Sequence, residues 1–235
     1  MAALSDALAG VALDLVVCPE LFTSGYHIGR SHADLAEPVD GPVAVGIAAL
    51  AQRSGTAIVY GYPEAAEGVV FNSAALICPK DGLLANHRKR LASPGSFEEE
   101  TFANGPEPTF AEFGGLRLAI AICYEIEFPE TARQAALGGA GLLVVPTALV
   151  DQWGVVAEKI VPARAFENGL WLAYANHAGE EGGYTYLGGS RIVAPDGHEV
   201  AVAGAGQSLI CAEIDPGGNA TARARLPYLR DCVKL

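Results

Sequence analysis

Short apolar runs alternate with helix-like segments along the whole chain, and turn residues separate them. Apolar, β-branched runs bounded by Gly, Pro, Asn or Asp predict buried strands. Apolar residues at helical spacing, with Pro near the start or Gly just beyond the end, predict helices. Strands are therefore expected over residues 11–18, 56–62, 69–78, 83–87, 109–113, 116–122, 141–145, 170–176, 190–195, 198–202 and 208–214, and helices over 1–10, 43–53, 131–137 and 155–168.

Strands and helices are interleaved on the scale that gives α/β layers, so we expect a single domain over residues 1–235. Two stretches, 93–105 and the Gly-rich 179–189, are predicted to be loops. The tail over residues 220–235 is too basic and irregular to be predicted as core.

Composition and charge narrow the possible partners. The chain is 51% apolar, which suits a folded protein, and its net charge is −12. Nucleic acid and anionic membrane surfaces both attract basic patches, so neither is expected as a partner. A large polyanionic substrate is not expected either.

Cysteine usage and hydropathy indicate a compartment. The five cysteines are scattered, with no C-x-x-C pair, which argues against a disulfide framework or a zinc site. No apolar run approaches the ~20 residues that span a bilayer. We see no signal peptide either, so the expected location is the cytoplasm.

The run Leu118–Ile122 leads directly into a lone cysteine, Cys123, and Pro129 suits the first turn of the helix that follows. Cys123 is therefore expected on a sharp strand-to-helix turn. Helix-terminal N–H groups at such a turn favour a thiolate and can bind an oxyanion. A buried core thiol fits the same stretch equally well, so the stretch alone leaves both interpretations open.

Two other predicted strand ends carry charged residues. Glu20 follows the strand 11–18 after Pro19, although a solvated turn residue or a helix cap fits this position too. Lys89 lies in the basic cluster His87–Leu91, which by itself is typical of a solvated strand end. A cysteine nucleophile needs a base, which a buried glutamate supplies, and an ammonium group stabilises an oxyanion. Glu20, Lys89 and Cys123 can therefore serve one reaction together.

The segments around these residues resemble those of the nitrilase superfamily, the carbon–nitrogen hydrolases. They occur in the family's order and cover nearly the whole chain. Within the family, the segments Pro146–Leu149 and Tyr174–His177 are similar to those of bacterial aliphatic amidases. The matching segments are Cys18–Tyr26, His87–Leu91, Glu98 with Phe102–Gly105, Cys123–Glu130, Pro146–Ala148 and Ala163–Asn168.

The resemblance implies a fold and a set of roles. The fold would be an α/β four-layer α-β-β-α sandwich. Glu20 would be the general base and Cys123 the nucleophile. Lys89 and the backbone N–H of Tyr124 would stabilise the oxyanion. Glu98 would be a second, supporting glutamate.

The implied reaction is amide hydrolysis through a cysteine thioester, with ammonia released first and the carboxylic acid second. It requires no metal and no organic cofactor. The sequence leaves Glu99 and Glu100 open as alternatives to Glu98. It also leaves open a nitrilase, an N-carbamoyl amine hydrolase, an ω-amide hydrolase, and a catalytically silent member with a binding or assembly role.

The chain departs from the family's pattern at two places. The strand with which family members usually begin has no counterpart here, so we expect unpaired backbone groups and a gap in the core. Glu127 stands where many relatives have arginine, which could hold a substrate carboxylate. A small neutral amide is therefore the expected substrate.

The resemblance also implies a homodimer or higher homo-oligomer, formed through helices near the cysteine with exchanged C-terminal tails. The basic residues between Arg223 and Arg230, on an acidic protein, are compatible with a tail that packs on a partner subunit.

Overall fold

Two β-sheets pack face to face in the computed structural model, which describes residues 2–234. Their strands form from the apolar runs, and successive side chains alternate between the space between the sheets and the outer face. The strands are β1 (Leu15–Val17), β2 (Ala57–Ala66), β3 (Val69–Cys78), β4 (Gly82–Arg88), β5 (Thr109–Phe113), β6 (Leu116–Ile120), β7 (Leu142–Thr147), β8 (Trp171–Asn176), β9 (Ala178–Glu181), β10 (Tyr184–Leu187), β11 (Arg191–Val193) and β12 (Glu199–Val202).

Within the described range, one sheet has the strand order β1-β2-β3-β4 and the other the order β12-β11-β8-β7-β6-β5. β1 runs parallel to β2, and β6, β7 and β8 run parallel to one another. Val59 and Leu76 of the first sheet pack against Leu118 and Val144 of the second. The carboxyl ends of parallel strands gather at one edge of a sheet, which is where sites form in such folds.

Helices cover the outer face of each sheet. Ile47 and Leu50 pack on Tyr60 of the first sheet, while Ala132 and Ala165 belong to the cluster that covers the second. The predicted four-layer α-β-β-α sandwich is therefore confirmed. The helices are α1 (Ala2–Leu8), α2 (His32–Leu35), α3 (Pro42–Ser54), α4 (Glu98–Thr101), α5 (Pro129–Leu137), α6 (Val161–Asn168), α7 (Pro216–Arg225) and α8 (Tyr228–Asp231).

β1 lies at the edge of its sheet, and a cavity of about 880 Å³ opens beside it. Leu15 and Val17 line one side of this cavity, and Leu209 and Ile210 line another. The strand predicted over residues 208–214 is wrong, because this segment pairs with no strand in the described part of the chain. Apolar residues alone do not make a strand where no neighbouring backbone is in reach.

Two further predictions need correction. The expected Gly-rich loop is largely the hairpin β9–β10, whose turn residues Gly182 and Gly183 both have positive φ, as a tight two-residue hairpin turn requires. The helix predicted over residues 155–168 begins as a π-helical turn, Val156–Ile160, and becomes regular only from Val161. Pro162 lacks the N–H that a regular α-helix needs there, which is consistent with this wider turn.

The tail is more regular than its composition predicts. The carboxylate of Asp215 caps α7 by accepting from the Gly217 N–H at 2.8 Å. Arg223 donates to the carbonyl of Ala140 at 2.7 Å, so this basic residue contacts its own chain. Packing of the tail on a partner subunit stays a prediction. Among residues 2–234, no helix has both the length and the apolar character needed to cross a membrane.

Candidate active site

Three loops at strand ends, together with α4, bring the predicted site residues into one buried cluster. Lys89 follows β4, and its ammonium lies 2.7 Å from Glu20 Oε1 and 2.7 Å from Glu98 Oε2. Glu20 and Glu98 are fully buried, and Lys89 and Cys123 are 3% and 8% exposed. Such burial excludes the solvated turn, the solvated strand end and the helix cap as explanations of these charges.

Glu20 has one occupied and one free carboxylate oxygen. Oε1 accepts from Lys89 and from Asn72 Nδ2, each at 2.7 Å. Oε2 is buried and has no hydrogen-bond partner among the described residues. Burial raises the pKa of Glu20, the attraction of Lys89 opposes this rise, and the charge of Glu98 adds to it. A carboxylate with a raised pKa and a free oxygen is suited to accept a proton.

Glu98 is the member of its glutamate triplet that reaches Lys89. Its neighbours Glu99 and Glu100 are exposed, and Glu100 pairs with Arg30. Burial tends to raise the pKa of Glu98, but Lys89 outweighs it and, with hydrogen bonds from Tyr26 and the Ser93 N–H, holds the pKa below its usual value. Glu98 is therefore a fixed negative charge beside the ammonium.

Lys89 is held as a cation by these two carboxylates. Burial lowers the pKa of Lys89, but the charges of Glu20 and Glu98 raise it by more than burial lowers it, so the net shift is upward. Its ammonium donates to both carboxylates and to Ser93 Oγ at 3.3 Å.

Cys123 lies on the sharp turn that the sequence predicts. The backbone is extended at Ile122 and left-handed at Cys123, with φ +48°, and a 3₁₀ turn, Cys123–Glu127, leads into α5 at Pro129. A left-handed conformation costs energy for a residue with a Cβ, and such strain is concentrated at functional sites. The turn directs the cysteine toward the cluster formed by the other strand ends.

The thiolate that the sequence predicts at this turn is opposed by the burial of the cysteine. Burial and the charge of Glu20 raise the pKa of Cys123 well above its usual value, although Lys89 and a hydrogen bond from the Ala148 backbone lower it. Desolvation disfavours the charged form of any thiol, and here it outweighs the N–H groups. Burial therefore favours the protonated form of the Cys123 thiol.

Tyr124 is the second residue of the 3₁₀ turn. The first backbone hydrogen bond of the turn runs from the Glu125 N–H to the Ile122 carbonyl at 3.1 Å. The Tyr124 N–H lies one residue before this donor, at the N-terminal end of the turn, where N–H groups have no partner within the turn. The predicted oxyanion donor therefore lies next to the thiol.

Three supporting residues could not be assigned from the sequence. Asn72 binds Glu20, and its only signal is a polar residue inside the apolar run of β3. His177 Nε2 lies 2.6 Å from the Glu20 carbonyl oxygen. Tyr26 donates to Glu98 from within the Glu20 segment. Their roles depend on distances between remote segments, which a single sequence does not contain.

The site has no arrangement suited to a metal. Within residues 2–234, no group of three His, Cys, Asp or Glu side chains could hold an ion. The buried carboxylates are instead neutralised by Lys89.

Fold and sequence together define the class of protein. The sequence matches the model of the carbon-nitrogen hydrolase family over residues 1–224, and the chain belongs to this family. It is a cysteine-dependent hydrolase of carbon–nitrogen bonds, as its relatives and the solved structures similar to it indicate.

Named relatives cover most of the chain. It is 43% identical to a hydrolase encoded in the pqqF 5' region of Pseudomonas protegens, over 96% of this chain and 80% of that protein. It is 33% identical to an (R)-stereoselective amidase from a Pseudomonas species, over 93% of this chain and 79% of that protein. It is 31% identical to an omega-amidase from Xenopus tropicalis, over 92% of this chain and 82% of that protein.

Solved structures of a Nesterenkonia amidase have the same fold. A cysteine-to-alanine mutant of that amidase in complex with butyramide matches with a TM-score of 0.83 and 32% identity, over 96% of this chain and 88% of that one. A glutamate mutant carries the acetamide moiety of fluoroacetamide on its active-site cysteine; it matches with a TM-score of 0.82 and 31% identity, over 98% of this chain and 86% of that one.

Proposed function

We propose that this protein hydrolyses small neutral aliphatic amides to a carboxylic acid and ammonia through a thioester on Cys123. The observation that carries the proposal is the buried Glu20 carboxylate. One of its oxygens is bound to Lys89, and the other has no partner among the described residues. Its charge adds to the burial that raises the pKa of the Cys123 thiol, so the two groups lie near enough to interact electrostatically.

In the first half-reaction, Glu20 accepts the thiol proton as the sulfur attacks the amide carbon. The negative charge that develops on the amide oxygen is stabilised by the Lys89 ammonium and the Tyr124 N–H. Glu20 then gives the proton to the leaving nitrogen, ammonia departs, and an acyl thioester remains on Cys123.

In the second half-reaction, Glu20 takes a proton from water, whose oxygen attacks the thioester carbon. The carbon–sulfur bond breaks, the proton returns to the sulfur, and the carboxylic acid leaves. Glu98 keeps Lys89 charged and oriented throughout, because it contacts the ammonium with both oxygens, at 2.7 and 2.8 Å.

Glu127 supports a neutral substrate. This half-buried residue lies in the cysteine turn, where burial raises the pKa of its carboxyl group and the charge of Lys89 opposes the rise. Once ionised, it repels an anionic substrate. An ω-amide that carries a carboxylate is the second candidate, since an omega-amidase is among the relatives.

A substrate panel tests the proposal. Ammonia release is measured from butyramide, butyronitrile, an N-carbamoyl amine and an ω-amide of a dicarboxylic acid. We expect kcat/KM to be largest for butyramide, by about tenfold or more over the ω-amide, since two like charges about 4 Å apart repel by about 1–4 kcal/mol and 1.4 kcal/mol is a factor of ten. A preference for the nitrile, the carbamoyl compound or the ω-amide would contradict the substrate assignment.

A further inference from the structure

A further buried carboxylate, Glu125, connects the segment that carries Lys89 with the segment that carries Cys123. It is fully buried. Oε2 accepts from the Ile122 N–H at 2.7 Å and lies 2.9 Å from His87 Nε2. Oε1 accepts from Arg90 Nε at 3.0 Å and from the Arg90 N–H at 3.3 Å.

The partners of Glu125 are the direct neighbours of the two reacting groups. Ile122 immediately precedes Cys123, and Arg90 immediately follows Lys89. His87 lies in β4, two residues before Lys89, which directly follows the strand. His87 is itself fixed by Thr109 Oγ1, 3.1 Å from its Nδ1. Glu125 has no hydrogen bond to the thiol or the ammonium, but it binds the backbone N–H of the residue before Cys123 and of the residue after Lys89.

The charge of Glu125 is stabilised in place. Burial tends to raise its pKa, but His87, the Ile122 N–H and Arg90 outweigh burial and lower the pKa to about 2. A buried carboxylate with this many donors is rigid, and removal of its charge leaves the donors without an acceptor.

We propose that Glu125 is a positioning residue for the hydrolysis, which fixes the distance between the Lys89 ammonium and the Cys123 sulfur by holding the backbone beside each. The inference rests on the roles proposed above for those two residues. Its consequence is that the oxyanion site is aligned through Glu125, since a misplacement of about 1 Å at a catalytic group can reduce the rate by about 10²-fold.

The chain offers a matched control, Glu64. This carboxylate is also buried and accepts from Arg88, Ser73 and Asn86 at 2.6–3.1 Å. Arg88 precedes Lys89 but points to the opposite face of β4. Glu64 therefore resembles Glu125 in burial and bonding, but none of its hydrogen bonds with described residues reaches the cysteine turn.

The experiment compares the wild type, Glu125→Gln, Glu64→Gln and Cys123→Ala. The first readout is kcat and KM for butyramide. The second is the rate at which iodoacetamide alkylates Cys123, since substitution at a saturated carbon develops no oxyanion. We expect Glu125→Gln to lower kcat by roughly 10- to 100-fold, with KM and the alkylation rate changed less than about threefold. Glu64→Gln is expected to keep kcat within about threefold of the wild type.

Three results would overturn the inference. The first is a kcat for Glu125→Gln that equals that of the wild type while Cys123→Ala is inactive. The second is an equal reduction of kcat in Glu125→Gln and Glu64→Gln, which would show that Glu125 has a merely structural role. The third is full activity in Cys123→Ala, which would overturn the proposed function as well.

Arg90→Met decides the case if Glu125→Gln does not fold. This substitution removes the hydrogen bond from the Arg90 side chain to Glu125, at a side chain that is 20% exposed. A fall in kcat with unchanged KM supports the inference, and an unchanged kcat contradicts it.

Discussion

A close backbone approach at Gly61 sets the position of the proposed base. A Cβ built on Gly61 would lie 2.7 Å from the Pro19 carbonyl oxygen and closer still to the Leu21 N–H. Both residues flank Glu20, so the backbone that carries Glu20 rests directly on β2. A side chain at this position has no space and must displace the Glu20 segment.

Gly61→Ala is therefore expected to reduce stability by about 1–3 kcal/mol through overpacking, and to reduce kcat because Glu20 moves. Chemical denaturation and butyramide turnover measure the two effects. Gly206→Ala is the control, since a Cβ there meets nothing within 4 Å. Wild-type turnover in Gly61→Ala would show that the Glu20 position tolerates the shift.

The raised pKa of Glu20 determines the acid side of the pH–rate profile. The base works only as a carboxylate, so activity is present above its pKa and is lost as the pH falls through it. Because burial raises this pKa above 4.5, kcat/KM is expected to fall with a midpoint above pH 4.5. A steady-state profile for butyramide between pH 4 and 8 measures it. A rate that stays constant down to pH 4 would contradict the assignment.

At the scale of elements, the turn at Cys123 combines an extended strand end, a left-handed residue and a helix that starts with proline. The left-handed conformation at Cys123 presents the thiol but is unfavourable for any residue with a Cβ. Leu21, next to Glu20, has the same conformation, with φ +47°. Strained backbone therefore lies at two of the three strand ends that form the site.

This strain predicts an unusual order of stabilities. The free energy of unfolding of Cys123→Gly should exceed that of Cys123→Ala by about 0.5–1 kcal/mol, because glycine adopts positive φ without the Cβ clash. The glycine variant is therefore expected to be the more stable of the two. Urea denaturation of the two variants measures the difference. Both variants lack the sulfur, so the comparison isolates the effect of the Cβ. A more stable alanine variant, as at an ordinary strand position, would contradict the left-handed geometry.

The elements were predictable where the pattern is strong and the pairing local. The bounds of β3 and β5 match the prediction, since apolar runs and turn residues define both hairpins. The segment 208–214 has a strand-like pattern but no strand beside it in the described range. Of the site, Glu20, Lys89 and Cys123 could be selected as strand-end residues. The raised pKa of Cys123 could not be predicted, because its burial comes from both sheets.

At the scale of the whole molecule, the candidate site is assembled across the sandwich. Glu20 and Lys89 follow strands of one sheet, and Cys123 follows a strand of the other. We propose that residues 1–235 form a single domain, because neither sheet alone contains the site.

Helix α7, near the C-terminus, is attached to the second sheet through Asn219. This buried side chain donates to the carbonyls of Gly141 and Gly169, at 2.8 and 3.1 Å. Asn219→Ala is expected to lower the free energy of unfolding by about 1–3 kcal/mol, because a buried carbonyl loses its donor. Thermal or urea unfolding measures this loss of stability. Thr221→Ala, on the exposed face of α7, is the control. Equal stability of the two variants would show that α7 is not anchored in this way.

The central claim is that carbon–nitrogen bond cleavage proceeds through Cys123, and one measurement tests it most directly. Ammonia release from butyramide is followed for the wild type, Cys123→Ala and Cys78→Ala, with circular dichroism to verify that each is folded. Cys78 lies at the end of β3, and its half-buried thiol donates a hydrogen bond to the Asp81 carboxylate. We predict wild-type rates for Cys78→Ala and a loss of at least about 10³-fold for Cys123→Ala. Comparable ammonia release by a folded Cys123→Ala protein would contradict the account.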